Sequence, residues 1–258
     1  MNADSPVDSS LILIARTPSP LILAYFLNVF QGWKIVLVSP IRPRWLPGEV
    51  TFHADDDLIL RSLFISNWKG GRAGWYYQQF LKYEAVLKSS WASSLIVDGD
   101  SVISPRIPYR SVCTTGQAIQ RYYNSFCEKC LPDIFPRGRV KKSMITNQMY
   151  FVKNELQEML GAIERQHGDS WMSAIERILL NYTDLSFSEY QLYGGYRLHA
   201  RKASLQKIKV FRRMDCIDKP ITDALRKYHV ISFEPQHKTG FLRKIRATGL
   251  YSLGMDLG

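Results

Sequence analysis

Leu11-Ile-Leu-Ile-Ala-Arg-Thr-Pro-Ser-Pro20-Leu-Ile-Leu-Ala-Tyr-Phe-Leu-Asn-Val-Phe30-Gln-Gly-Trp-Lys-Ile-Val-Leu-Val-Ser39 sets the architecture of the chain. Leu11–Ala15 is a short aliphatic run stopped by Arg-Thr-Pro-Ser-Pro, which reads as a buried strand and a turn. Leu21–Phe30 has helical length, and Pro20 is suited to its first turn. Gly32 ends that helix, and Lys34–Val38 is a second β-rich run closed by Ser39-Pro40. Strand, helix and strand in so short a span form a βαβ unit, the opening of many nucleotide-binding folds. No Gly-x-Gly-x-x-Gly follows the first strand, which disfavours a dinucleotide site of the Rossmann type.

Outward from this unit, 41–57 reads as a loop rich in Pro and charge, and Leu58–Ile65 as a strand or short helix. Gly70, Gly71 and Gly74 give the stretch 66–74 the glycines of a mobile loop. A helix is expected over Trp75–Ser89, and a strand over Ser93–Val97. Further downstream the pattern gives a strand over Met144–Val152 and helices over Asn154–Gln166 and Ser170–Leu180. A helical turn is expected over Ser188–Tyr193, capped by Ser188. Late strands are expected over Lys207–Phe211 and Val230–Phe233. There is no internal repeat and no low-complexity tract.

Ser93-Ser-Leu-Ile-Val-Asp98-Gly-Asp100 carries the chemistry. A fully apolar strand delivers two carboxylates at its C-terminal end, the edge at which open parallel sheets bind ligands. A Gly between acids at i and i+2 lets the backbone turn, so that both can approach one hard cation and its phosphates. Asp98 and Asp100 are therefore candidate ligands for Mn²⁺ or Mg²⁺ bound to a diphosphate; the alternative is a solvated turn. Glu234-Pro-Gln-His237 follows the last expected strand, a placement that suits His237 as a metal ligand ahead of His199; a plain polar loop residue is the alternative. His167 sits at a helix end, where it complements the dipole.

The 258 residues and 29.8 kDa fit one large α/β domain with ordinary globular composition, 46% hydrophobic and 22% charged. A core of this size needs no disulfides, and Cys113, Cys127, Cys130 and Cys216 suit a reducing compartment. Cys127-x-x-Cys130 lacks a second such pair at zinc spacing. The net charge is +11. From Arg197 to Arg246 there are fourteen Lys/Arg against Asp215, Asp218, Asp223 and Glu234. This basic quarter favours anionic partners: nucleotide phosphates, anionic lipid or nucleic acid; a solvated basic surface is the plain alternative. The acidic Met-Asn-Ala-Asp-Ser start is unlike an export signal, and the apolar stretch 11–30 is broken by Arg16 and two prolines. A cytoplasmic location is expected; the apolar and basic segment 241–245 suits peripheral contact at an anionic membrane, with a packed terminal segment as the alternative.

Gly74-Trp-Tyr-Tyr-Gln-Gln-Phe-Leu-Lys82, Leu95-Ile-Val-Asp-Gly-Asp100 and Phe187-Ser-Glu-Tyr-Gln-Leu-Tyr-Gly194 occur in that order. Together they resemble a bacterial family of GT-A-type glycosyltransferase-like proteins encoded with capsule and O-antigen polysaccharide genes. The resemblance covers about residues 11 to 240. It implies a GT-A-like, Rossmann-type nucleotide-sugar-binding α/β fold with a mostly parallel central sheet. About 9–110 would form the nucleotide-sugar half, about 111–240 the acceptor half, and 241–258 a tail. It also implies metal-dependent transfer of a sugar from a nucleotide-sugar donor to a glycan or lipid-linked acceptor.

Within that reading, Gln78 and Lys82 fall at i, i+4 on one helix face. Lys82 is a candidate for donor phosphate, and Gln78 and Gln79 for the nucleotide or for bracing the acid-bearing strand; a polar face over an aromatic core is the alternative. Glu189 is the candidate base of an inverting transfer, an acceptor-positioning group in a retaining one, or a structural helix-start acid. Trp171, Tyr182, Tyr190, Tyr193 and Tyr196 are read mainly as core. The rival functions are a nucleic-acid-directed metal-dependent enzyme or binding protein, disfavoured because no nucleic-acid module is recognisable, and a non-catalytic glycan-binding relative.

Overall fold

The computed structural model describes residues 8–60, 73–135, 141–182, 186–211 and 221–233. Its centre is a five-stranded sheet of β1 (Ser9–Ile14), β2 (Lys34–Ser39), β3 (Thr51–Ala54), β4 (Ser93–Asp98) and β7 (Gln148–Val152), in the order β3-β2-β1-β4-β7. Three of the four pairings are parallel; β7 alone runs antiparallel, against β4. The expected α/β architecture with a mostly parallel central sheet is the one observed.

Both faces of this sheet are covered, and so its inner strands read as unbroken aliphatic runs rather than alternating ones. Ile12, Ile14, Val36, Val38 and Ile96 face one core, and Leu11, Leu13, Ile35, Leu37, Leu95 and Val97 the other. The second face is covered by α1 (Pro20–Val29), whose Ser19 side chain accepts from the Ile22 amide at 3.5 Å, with Pro20 in the first turn. Strands β5 (Ser101–Ile103), β9 (Val210–Phe211) and β10 (Val230–Ser232) pair beside it. The first face is covered by α3 (Ala73–Lys88), α4 (Arg121–Cys130), α5 (Lys153–His167), α6 (Trp171–Leu179) and α7 (Glu189–Ala200). The short helices α2 (Asp55–Leu58) and α8 (Ile221–Lys227), and a parallel pair of β6 (Val112–Thr114) with β8 (Leu205–Lys207), complete the described elements.

Several expectations shift. The loop expected over 41–57 contains β3, an edge strand on β2 whose residues alternate exposed and half-buried, and the start of α2. The strand expected from Met144 begins at Gln148, because Asn147 sits in the left-handed region at φ 61° and breaks the extended run. The turn at Ser188 is a twelve-residue helix, running through Gly194 and Gly195. A Cβ at Gly194 would lie 2.6 Å from Met144 Sδ, and one at Gly195 would enter the Phe135 ring. The two glycines therefore let α7 lie close on its neighbours. The late strand over 207–211 is split between β8 and β9.

Helix α4 buries Cys127 and Cys130 at i, i+3 and was not expected from its polar and aromatic mixture. Burial pushes both thiols well up, and Cys113 to about 11, as inert core thiols require. Trp171, Tyr190, Tyr193 and Tyr196 are buried, as a core reading expects; Trp171 stacks on Phe80 at 5.5 Å. Among the described residues no helix is long and apolar enough to cross a membrane.

Candidate active site

The C-terminal ends of β1, β2 and β4 share one edge of the sheet. Ile14 and Asp98 are register partners there, and the Gly99 amide donates to the Ile14 carbonyl at 2.8 Å. A Cβ on Gly99 would overlap the Cβ of Ala15 and lie 2.7 Å from the Ile14 oxygen. The glycine of Asp98-Gly99-Asp100 is thus set by close approach: the chain crosses the end of β1 with no room for a side chain. The Asp98 amide is held by the Asn147 carbonyl at 3.0 Å, and the Asp100 carbonyl accepts from Phe233 at 2.8 Å. The two acids are mounted on a turn fixed from three sides.

Behind this turn lies a buried polar cluster. The Lys82 ammonium, from the third turn of α3, lies 2.5 Å from Asp98 Oδ1 and 2.6 Å from Glu189 Oε1. Tyr190 donates its hydroxyl to the same Asp98 oxygen at 2.9 Å, and its ring lies 4.3 Å from Lys82 Nζ. The Gln79 amide, with its nitrogen turned toward Glu189, donates to both carboxylate oxygens. Tyr83 donates to the Glu189 main-chain carbonyl at 2.9 Å. Glu189 is fully buried, and Lys82 and Gln79 nearly so. Three motifs far apart in sequence thus meet in one hydrogen-bonded unit: Gln79 and Lys82, Asp98, and Glu189 with Tyr190.

The electrostatics follow from this packing. Burial pulls the Lys82 ammonium down, but the combined attraction of Asp98 and Glu189 outweighs it and holds the cation above its ordinary range. Burial raises the Glu189 carboxyl more than Lys82 lowers it. Asp100 is pushed up to about 6, first by burial and then by the neighbouring Asp98 charge. Such an acid weakens the fold when ionised, so stability falls as pH rises from about 4 to about 6 and is then level. Asp100→Asn is expected to stabilise the protein on the order of 1–3 kcal/mol at pH 7.5, with little effect at pH 4. Urea denaturation at the two values checks this, and equal effects at both would refute it.

Gln78 and Lys82 lie at i and i+4 of α3, as expected, but their side chains end in different surroundings: Lys82 is in the buried cluster and Gln78 is not. It opens instead onto a cleft of about 300 Å³ at the ends of β1 and β2, lined also by Arg16, Ser39, Asp55, Gly74 and Trp75. Gln79, three residues before Lys82, joins the buried cluster. Ser39 is 2% exposed, and its hydroxyl has no hydrogen-bond partner among the described residues, an arrangement that a polar ligand in the cleft would complete. Ser39 and Asp55 had no sequence signal beyond a strand end and a run of acids. Tyr190 was present in the third motif, but nothing in its spacing revealed its bond to Asp98.

The donor set suits a hard cation. Asp98, Asp100 and Glu189 outnumber Lys82 in charge, leaving the cluster net negative. Asp98 and Asp100 also raise each other's energy when both are ionised, a repulsion that a divalent ion between them would relieve. Among the described residues no three His, Cys, Asp or Glu gather as a complete metal site, so Mn²⁺ or Mg²⁺ held here would take its other ligands from phosphate and water, as small divalent ions commonly do. His237 and the Gly70-Gly71 loop lie outside the described residues. His199 is ten residues along α7 from Glu189, about 15 Å of helix rise away. His167 contacts the Cys130 carbonyl at 3.1 Å.

No protein-family model matches the chain, and no curated protein matches it in sequence. Among solved structures it is similar to the galactosyltransferase LgtC in complex with donor and acceptor sugar analogues, at 9% identity over 92% of this chain and 94% of that one, with a TM-score of 0.44.

Proposed function

We propose that this protein is a GT-A-like glycosyltransferase that moves a sugar from a nucleotide-sugar donor to a glycan or lipid-linked glycan acceptor in bacterial surface-polysaccharide synthesis. The observation that carries the reading is the convergence of three separated motifs on the acid-bearing strand end, beside a cleft at the same sheet edge. Such edges bind nucleotides because the strand ends and following turns converge there. A bound Mn²⁺ or Mg²⁺, held by Asp98 and Asp100, would neutralise charge developing on the departing nucleoside diphosphate.

The chain's own residues prepare that site. Lys82 and Tyr190 both bind Asp98 Oδ1 and so hold its carboxylate in place. Glu189, itself bound by Gln79, holds Lys82 in place from behind. A base has to touch the acceptor hydroxyl, whereas the Glu189 side chain is 1% exposed with both oxygens engaged. In our reading Glu189 is a positioning residue that anchors Lys82, closer to the structural helix-start acid than to the base or acceptor-positioning group among its sequence readings. Gln78, Ser39 and Arg16 line the cleft and are the donor contacts of this reading, with Arg16 suited to phosphate.

A thermal-shift panel of nucleoside diphosphates with and without Mn²⁺ tests the proposal. At a hundredfold excess over Kd, a ligand specific to the folded state adds about 2.7 kcal/mol, or roughly 5–10 °C for a chain of this length. The shift is expected to need the ion and to vanish in Asp98→Ala/Asp100→Ala. No shift with any nucleotide would reject the transferase.

A further inference from the structure

We propose that the loop between β2 and β3 docks the protein on an anionic lipid bilayer. The loop, Pro40-Ile-Arg-Pro-Arg-Trp-Leu-Pro-Gly-Glu-Val50, is built to present a fixed tip. Pro40, Pro43 and Pro47 restrict its backbone. Two turns are closed by Leu46 N–H to the Pro43 carbonyl and Val50 N–H to the Pro47 carbonyl, each at 3.2 Å. Leu46 and Val50 are buried in the core that α1 covers, so the loop is anchored at two points.

What this anchored loop holds outward is apolar and basic. Ile41 is 78% exposed and Trp45 42%, the former the most exposed large hydrophobic among the described residues. Arg42 and Arg44 stand exposed between them. Arg16, on the turn after β1, is exposed at the same sheet edge. Glu49 is the loop's single acid. An aliphatic side chain, an indole and two guanidinium groups within five residues match the strata of a bilayer surface. Ile41 suits the upper acyl region, Trp45 the interface, and the arginines the phosphates.

The alternatives fit less well. A stable protein partner needs on the order of 1,200–2,000 Å² of total buried surface, and two protruding side chains supply little of it. A nucleic acid would use the arginines but gain nothing from Ile41. The bilayer uses both kinds of group, and needs neither a large matching area nor a shaped pocket. The loop also begins at Ser39-Pro40, which line the cleft. Docking through it turns the acid-bearing sheet edge toward the headgroups, where a lipid-linked acceptor would lie. The surface itself does not depend on the transferase reading.

The test is co-sedimentation of the full chain with vesicles of phosphatidylcholine containing 30% phosphatidylglycerol, against phosphatidylcholine alone. Wild type is expected to bind the anionic vesicles and to bind the neutral ones several-fold less. Ile41→Ser/Trp45→Ser is expected to lower the partition about tenfold, and Arg42→Ser/Arg44→Ser at least fivefold at low salt. Both variants should melt within a few degrees of wild type, which separates lost docking from lost folding. Brominated-lipid quenching of tryptophan should fall markedly in Trp45→Phe, a change that a merely electrostatic contact would not produce. Binding that survives both double variants, for instance through the basic C-terminal quarter, overturns the proposal. So does a wild-type dimer abolished by Ile41→Ser/Trp45→Ser, or a failure to bind either vesicle. None of these readings depends on nucleotide binding, so a failed transferase would leave the docking result intact.

Discussion

Lys82→Met is expected to remove about 3–5 kcal/mol of folding stability near neutral pH, the usual effect of taking one partner from a buried ion pair. The reason is the company Lys82 keeps: its ammonium lies 2.5 Å from Asp98 and 2.6 Å from Glu189, and Glu189 is fully buried. Methionine is one heavy atom shorter and fills nearly the same space, so the loss is chiefly electrostatic rather than a cavity. It leaves a buried carboxylate without its cation, with the Gln79 amide and a main-chain N–H as the neutral groups beside it.

The pH dependence has a definite sign. Lys82 is held above its ordinary range, so the stability it contributes is present below that range and is lost only in strong alkali. Glu189 is raised already in the wild type, chiefly by burial. Removing Lys82 removes the attraction that opposes that rise. The variant should therefore lose stability as pH climbs from the ordinary glutamate value through the raised one. Its deficit should be smaller at pH 5 than at pH 8. In Lys82→Met/Glu189→Gln the stranded charge is gone, and stability should return to within about 2 kcal/mol of wild type. Nucleotide binding should stay impaired, because Asp98 has lost its main partner. Urea titrations of the three proteins at pH 5 and pH 8 check this. A double variant as unstable as the single one would show that Lys82 and Glu189 are not one unit.

How much of this was legible in the sequence depended on whether the signal was local. The βαβ opening was readable because both faces of the sheet are covered, which makes β1 and β2 unbroken aliphatic runs, and because Ser19-Pro20 and Gly32 punctuate the helix between them. The acids at the end of β4 were readable for the same reason, with an apolar strand stopping at Asp98. What could not be read was which side of α3 faces which neighbour. Gln78 and Gln79 are adjacent, yet one opens on the cleft and the other binds Glu189, a division set by where α7 packs. Glu189 looked like an accessible acid because a helix start usually meets solvent. Here α7 begins inside the core beneath α3, and the acid serves the lysine. Edge strand β3 was missed because its pairing with β2 is a tertiary contact, with no run of strongly apolar residues to announce it.

Gly99→Ala is expected to have an effect out of proportion to one methyl group: about 3 kcal/mol of stability, roughly 6–12 °C in melting temperature, and loss of the nucleotide-dependent shift. The added Cβ would overlap Ala15 Cβ and lie 2.7 Å from both Ala15 Cα and the Ile14 carbonyl oxygen. Backbone atoms cannot rotate aside as a long side chain could, so the turn itself has to lift. Lifting it strains the Gly99–Ile14 hydrogen bond of 2.8 Å, with the Asp98–Asn147 and Phe233–Asp100 bonds on either side. It also carries Asp98 away from Lys82 and Tyr190, and Asp100 away from its position beside Asp98. Stability and ligand response should therefore fall together. Asp98→Asn should behave differently, weakening ligand response while leaving the backbone turn in place. Ala15→Gly removes the nearest clashing atom, so Ala15→Gly/Gly99→Ala should recover part of the stability but not all, because the Ile14 oxygen remains. If Gly99→Ala melts within a degree of wild type and still shifts with nucleotide, then the turn has room that its packing denies, and close approach is not what the glycine is for.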